Sequence, residues 1–231
     1  MQSGGFKLHA FEDRPGYIAY PVGAVEQRGT WAWEVDAKGD VWHGDPGDHT
    51  IKRYRFLKWD SGKPVLSTEK PDSWPEPPGY DKIQRIHYDV GSDTLYLGAF
   101  PTGVKDPAWG QVGAVLDRYD GWTAGKRERR WRAELPRDDE KLFPKAMDIT
   151  GDYAFMVQVK PTRGIYALLN VFSLTDGKVV GQIWPGDAVG GFSGWVDITH
   201  AIHAHKRQDG EYLILVEEDF RGKNILYRWR P

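Results

Sequence analysis

The stretch Trp33-Glu-Val-Asp-Ala-Lys-Gly-Asp-Val-Trp-His-Gly44, followed by Ile51-Lys-Arg-Tyr54 and Asp60-Ser-Gly62, decides the fold. It reads as a short strand, an Asp/Gly turn, an apolar strand, a loop, a third strand and a second Gly turn. Gly supplies the positive φ of a tight hairpin at no steric cost. Working outward, the same order returns three times. Ile86-His-Tyr-Asp-Val-Gly-Ser-Asp-Thr-Leu-Tyr-Leu-Gly98 precedes Leu116-Asp-Arg-Tyr119, and Lys145-Ala-Met-Asp-Ile-Thr-Gly-Asp-Tyr-Ala-Phe-Met156 precedes Leu169-Asn-Val-Phe172. The last copy, Ile202-His-Ala-His-Lys-Arg-Gln-Asp-Gly-Glu-Tyr-Leu-Ile-Leu215 before Leu226-Tyr-Arg-Trp229, is looser. There His205 stands where the other copies have Asp36, Asp89 and Asp148.

The tetrad of an aliphatic, two variable residues and an aromatic also opens the chain, as Leu8-His-Ala-Phe11, so it occurs five times at intervals of about 40 to 65 residues. Candidate fourth strands follow the tetrads at Tyr17–Tyr20, Val65–Leu66, Trp131–Leu135 and Val179–Ile183. Four antiparallel strands per unit, with no amphipathic helix, predict an all-β chain folded as a β-propeller of four-stranded blades, about four of them here. An irregular sandwich is the alternative, but it gives no reason for five spaced copies of one tetrad. The expected division is a tail or closing strand over 1–29 and blades over 30–70, 80–136, 143–186 and 195–231, with Pro71 to Gly79 as an extended connection. The ends admit two arrangements. Gly16 to Val22 completes the last blade of a compact ring, or the chain is the C-terminal part of a larger ring whose open edges a partner chain or a homodimer covers; the larger ring is preferred.

At 231 residues the chain has room for one large all-β domain, and Gly 27 with Pro 15 supplies many turns. Thirty-one basic against 33 acidic side chains leave a formal charge of −2, so no global field recruits nucleic acid or an anionic membrane. No apolar run approaches the roughly 18 residues of a membrane span. With no Cys there is no disulfide framework, zinc-thiolate site or Cys nucleophile. The absence of a Walker loop, a dinucleotide fingerprint, a Gly-x-Ser-x-Gly elbow and His-Glu-x-x-His speaks against nucleotide hydrolysis and the common serine and zinc hydrolases. Met1-Gln-Ser-Gly-Gly-Phe6 carries no secretion-signal pattern; localisation is expected from function to be extracellular or periplasmic.

The phrase Val35-Asp-Ala-Lys-Gly-Asp-Val-Trp-His-Gly44, with Ile51-Lys-Arg-Tyr54 and Gly62-Lys-Pro-Val65, resembles the blade repeat of the streptogramin-lyase-like and NHL-type propellers. The resemblance extends from Trp31 onward and implies the architecture. Such rings serve as lyases, sugar binders and interaction platforms alike. In the lyase-like members, histidines and a glutamate near the central channel act with a divalent metal. No His-x-His-Trp run is present here to carry that activity over.

In a propeller the first strand of each blade lines the channel. Aligning first strands on Asp36, Asp89, Asp148 and His205 puts Glu34, His87, Ala146 and His203 two residues earlier, on the shared face. Glu34, His87 and His203 are therefore the candidate acid, base and ligand-binding groups. His203 and His205, with Glu217 from the next hairpin, are the candidate ligands for a divalent cation such as calcium or magnesium, His200 facing the other way. Among the eleven Trp, Trp74, Trp109 and Trp195 read as loop residues, and with Trp31 and Trp33 they suit stacking on sugar rings. Lys126-Arg-Glu-Arg-Arg-Trp-Arg132 reads as a solvated outer strand. The leading expectation is a carbohydrate-binding module of a secreted bacterial protein, with a polysaccharide or oligosaccharide as partner. A polysaccharide lyase using His87 or His203 as base, helped by Glu34 or a cation, comes second, and a protein-interaction scaffold third.

Overall fold

A computed structural model of the protein describes residues 7–10, 16–19, 32–45, 48–67, 70–103, 114–135, 143–159, 167–183, 199–218 and 223–231. A hairpin of β1 (Lys7–Ala10) and β2 (Gly16–Ala19) comes first. The first blade comprises β3 (Trp33–Val35), β4 (Val41–Asp45) and β5 (Thr50–Tyr54); a side hairpin of β6 (Phe56–Asp60) and β7 (Lys63–Leu66) follows, and β8 (Asp72–Pro75) completes the blade against β5. The second blade is β9 (Tyr80–Asp89), β10 (Thr94–Pro101), β11 (Val115–Asp120) and β12 (Glu128–Glu134); the third is β13 (Phe143–Thr150), β14 (Tyr153–Val159), β15 (Ala167–Ser173) and β16 (Val179–Ile183). The fourth has three described strands, β17 (Thr199–Lys206), β18 (Tyr212–Glu218) and β19 (Lys223–Trp229). All neighbours within a sheet are antiparallel, and the described residues contain no helix. The four sheets form a β-propeller arrangement whose first strands neighbour one another in succession, β3 with β9, β9 with β13 and β13 with β17.

The core explains why the sheets stack radially rather than as two layers. Successive side chains of a strand point to opposite faces, and the middle blades are apolar on both. Leu95 and Leu97 of β10 pack with Trp42 and Ile51 of the first blade, while Tyr96 between them packs with Ala154 and Met156 of the third. In β14, Phe155 and Val157 face Ile214 and Val216 of the fourth blade, and Ala154 and Met156 face back. A two-layer sandwich would leave one face of every sheet to solvent. The tetrad follows the same rule, because positions three apart on a strand lie on opposite faces. Leu116 joins the core shared with the third blade and Tyr119 the core shared with the first; Leu169 faces the fourth blade and Phe172 the second. In the fourth blade Trp229 packs back on the third, and Leu226 is 59% exposed.

Two expectations need correction. The outer strand of the first blade is β8, inside the segment expected as a connection, and Val65–Leu66 instead lies in the side hairpin. The hairpin is used because Phe56 and Leu66 cover Val41 and Tyr54 on the blade face that has no earlier four-stranded sheet among the described residues. The expected outer strands at Trp131–Leu135 and Val179–Ile183 correspond to β12 and β16. Within β2, pairing is to β1.

Candidate functional site

The first strands bring titratable side chains from neighbouring blades into contact. Glu34 sits in β3 and His87 in β9, and His87 Nδ1 lies 2.9 Å from Glu34 Oε2, with both side chains about one-fifth exposed at 20% and 18%. The adjacent backbone N–H of Tyr88 donates to Glu34 Oε1. A second pair of strands repeats this construction. Asp148 of β13 meets His203 of β17, Nδ1 to Oδ2 at 3.2 Å, and the next N–H, that of Ala204, donates to the same carboxylate oxygen at 2.6 Å. Thr150 Oγ1 donates to the Ala204 carbonyl at 2.9 Å. A carboxylate from one blade therefore clasps an imidazole and the following backbone amide of the next, once between the first and second blades and once between the third and fourth.

Both members of the first clasp are shifted. Burial raises the Glu34 carboxyl above its ordinary value against the hydrogen bond and charge of His87 and the Tyr88 amide, and the negative charge of Asp148 adds to the rise. For His87 burial acts downward, but the hydrogen bond and charge of Glu34, with the charges of Asp148 and Asp89, outweigh it and hold the imidazole protonated to higher pH. Asp148 thus acts electrostatically on the Glu34–His87 pair while touching His203. Carboxylate, imidazole, carboxylate and imidazole are contributed in turn by the four first strands.

Of the expected channel set, Glu34 and His87 are in contact, whereas His203 is paired with Asp148. Ala146 does not share their place: it is buried in the core between the third and fourth blades. Asp148 was an aspartate of the repeat and its role was missed, because Asp36 and Asp89 do serve their own turns. Asp36 accepts the amides of Lys38 and Asp40 and the indole N–H of Trp42, and Asp89 accepts the Gly91 amide and the Ser92 hydroxyl. In the third blade the turn is shorter, with Thr150 opposite Tyr153, so Asp148 sits back from it and faces the next blade. Asp148-Ile-Thr-Gly-Asp152 has the same spacing as Asp36-Ala-Lys-Gly-Asp40, so the sequence carried no signal that would separate the two aspartates.

The expected metal ligands are His203, His205 and Glu217. His203 pairs across the ladder with Leu215 and His205 with Leu213, whereas Glu217 lies opposite Ala201. No group of three or more His, Asp or Glu among the described residues is placed to hold a metal ion. The placement of Trp74 in a loop is corrected. It lies in β8, its ring stacked on Trp42 at 5.3 Å and 10° and edge-on to Trp122 at 6.3 Å. The guanidinium of Arg53 covers it at 5.6 Å from the ring centroid. Trp33 is 41% exposed on β3, while Trp31, Trp109 and Trp195 lie outside the described residues. In the basic run Arg129 and Arg130 are exposed on β12, and Arg132 forks onto the buried Asp117 at 2.6 to 3.1 Å.

No family model and no curated protein matches the chain. A solved structure described as "NanB plus Optactamide" is similar at 12% identity and a TM-score of 0.40, the match covering 96% of this chain and 38% of that one. The chain spans well under half the length of that structure.

Proposed function

We propose that the chain is a carbohydrate-binding β-propeller module, of the streptogramin-lyase-like kind suggested by its first blade, acting outside the cytoplasm on a polysaccharide or oligosaccharide. The supporting observation is the row Glu34, His87, Asp148 and His203 on the first strands, in which hydrogen-bond acceptors and donors alternate. Sugar hydroxyls, each both donor and acceptor, match such a row. Trp33, 41% exposed on β3, is proposed as a stacking surface, together with Trp31, Trp109 and Trp195. The test is binding to a glycan array followed by calorimetry on the best ligand. Trp33→Ala is expected to weaken binding about tenfold, the loss of a stacking contact worth about 1 to 2 kcal/mol. Absence of binding to any glycan overturns the proposal.

The Asp148–His203 pair favours a second reading, a polysaccharide lyase. A carboxylate on Nδ1 fixes the tautomer and leaves Nε2 to accept a proton, and the His203 side chain is 75% exposed. In this reading His203 takes the proton beside the carboxylate of a uronic-acid unit, the bond to the leaving oxygen breaks, a C=C bond forms, and protonated His87 gives its proton to that oxygen. His203→Gln is expected to reduce formation of the unsaturated product, followed by its ultraviolet absorbance, by about a hundredfold or more. No absorbance change on uronic-acid polymers removes the lyase and leaves the binding module.

A further inference from the structure

The two faces of the fourth blade differ. One is closed: Ile214, Val216, Ile225 and Tyr227 are buried in the core shared with the third blade. The alternate residues of the same strands point the other way, and there Leu215 is 43% exposed and Leu226 59%. The two leucines are direct partners across the β18–β19 ladder. On the second blade, by contrast, both faces are covered, one by the first blade and one by the third. Single exposed apolar residues are ordinary on a surface, but a paired row on a regular sheet marks a face that another layer covers.

Charge on this face changes sign along the strands, with the leucine row in the middle. Toward one end the next outward residue of β18 is the exposed Glu217. Toward the other, the ladder pairs His205 with Leu213 and Leu213 with Arg228. His205 is exposed, and the Arg228 side chain is 67% exposed although it reaches Glu211 at 2.8 Å. Arg207, Arg228 and Arg230 against Glu211 and Asp209 leave this end net positive. The face therefore runs from acidic through apolar to basic, and such a gradient complements its own image after a half-turn. A two-fold axis lying in the interface and crossing the strands at Leu215 and Leu226 sets leucines on leucines and brings Glu217 of each copy over the basic end of the other. Three strands, about 14 Å wide and about 24 Å long, bury on the order of 1,000 Å² in such a pair, the lower end for a specific interface.

We propose that the outward face of the fourth blade is an isologous dimer interface, in which two copies of this chain pack Leu215 and Leu226 face to face and set Glu217 against His205 and Arg228 of the other copy. Two sheets in aligned packing, about 10 Å apart and turned by about 30°, accommodate this pairing. The inference is independent of the ligand the module binds.

The test is sedimentation velocity on the full chain from about 1 to 300 μM, joined to single-cysteine crosslinking, which is clean because the chain has no Cys. A reversible dimer with a dissociation constant of about 10 μM is expected; a monomer throughout overturns the inference. Leu226→Asp, a change at an exposed position, is expected to weaken the dimer about a hundredfold while the far-ultraviolet circular dichroism stays unchanged. Glu217→Arg is expected to weaken it about tenfold, and adding His205→Glu to bring it back to within about threefold of the wild type. On oxidation Leu226→Cys should give a disulfide-linked dimer, since a residue at the axis meets its own copy; Leu57→Cys, exposed to the same 59% on the side hairpin of the first blade, should not. A dimer insensitive to Leu226→Asp, or equal crosslinking at both positions, overturns the inference. A dimer that Leu226→Asp abolishes but Leu226→Cys does not link has another segment on the leucines and overturns the two-fold arrangement.

Discussion

His87 and Glu34 show how a contact between blades becomes a pH response. The ordinary imidazole value is 6.5, and that of His87 in the folded protein is higher. Below the ordinary value this contribution to stability is fully present. As pH rises through the window between the two values, the unfolded chain releases a proton that the folded protein keeps, and stability falls. Glu34, raised from 4.5, acts with the same sign at lower pH. Urea midpoints of the wild type should therefore drop as pH rises above 6.5, with His87→Gln flattening that slope. Parallel slopes for the two proteins would show that the imidazole is not held by the carboxylate.

At the scale of one element, β8 separates a packing role from a binding role. Trp74 is sandwiched among Trp42, Trp122 and Arg53, so its ring holds the outer strand to the blade. Trp74→Ala is expected to cost about 3 kcal/mol in chemical denaturation and to change the near-ultraviolet circular dichroism, as for other large-to-small changes in a packed cluster. An unchanged denaturation midpoint with lost sugar affinity would return Trp74 to the ligand platform. The same strand shows where reading the chain fails. Asp72-Ser-Trp-Pro75 carries a Pro and no alternating apolar run; it is a strand because Arg53 and Arg55 grip Asp72 at 2.7 and 2.8 Å and because Trp42 offers a flat surface. The third strands were legible because their tetrads serve two cores at once, so both the aliphatic and the aromatic position are constrained.

Across the whole molecule the first strands are coupled through charge. Asp148 stands in the third blade and raises both Glu34 of the first and His87 of the second. Asp148→Asn should lower both titrations, read by imidazole nitrogen and carboxyl carbon shifts in NMR, and should weaken the join between the third and fourth blades by about 1 to 2 kcal/mol through the altered His203 and Ala204 contacts. Unmoved titrations of Glu34 and His87 would mean that the first strands do not share one electrostatic environment.

The amino-acid order alone determined that the chain is built from repeated antiparallel sheets and that Glu34 and His87 are channel-side candidates. These follow from alternation and turn chemistry, which act over a few residues and are written locally. Only the tertiary structure decided that Asp148 faces the next blade and pairs with His203 while Ala146 is buried in the core, and that Trp74 packs against the core from an outer strand. Each of these depends on a bulge, a loop length or the register between strands, and a shift of one residue in any of them turns a side chain to the opposite face.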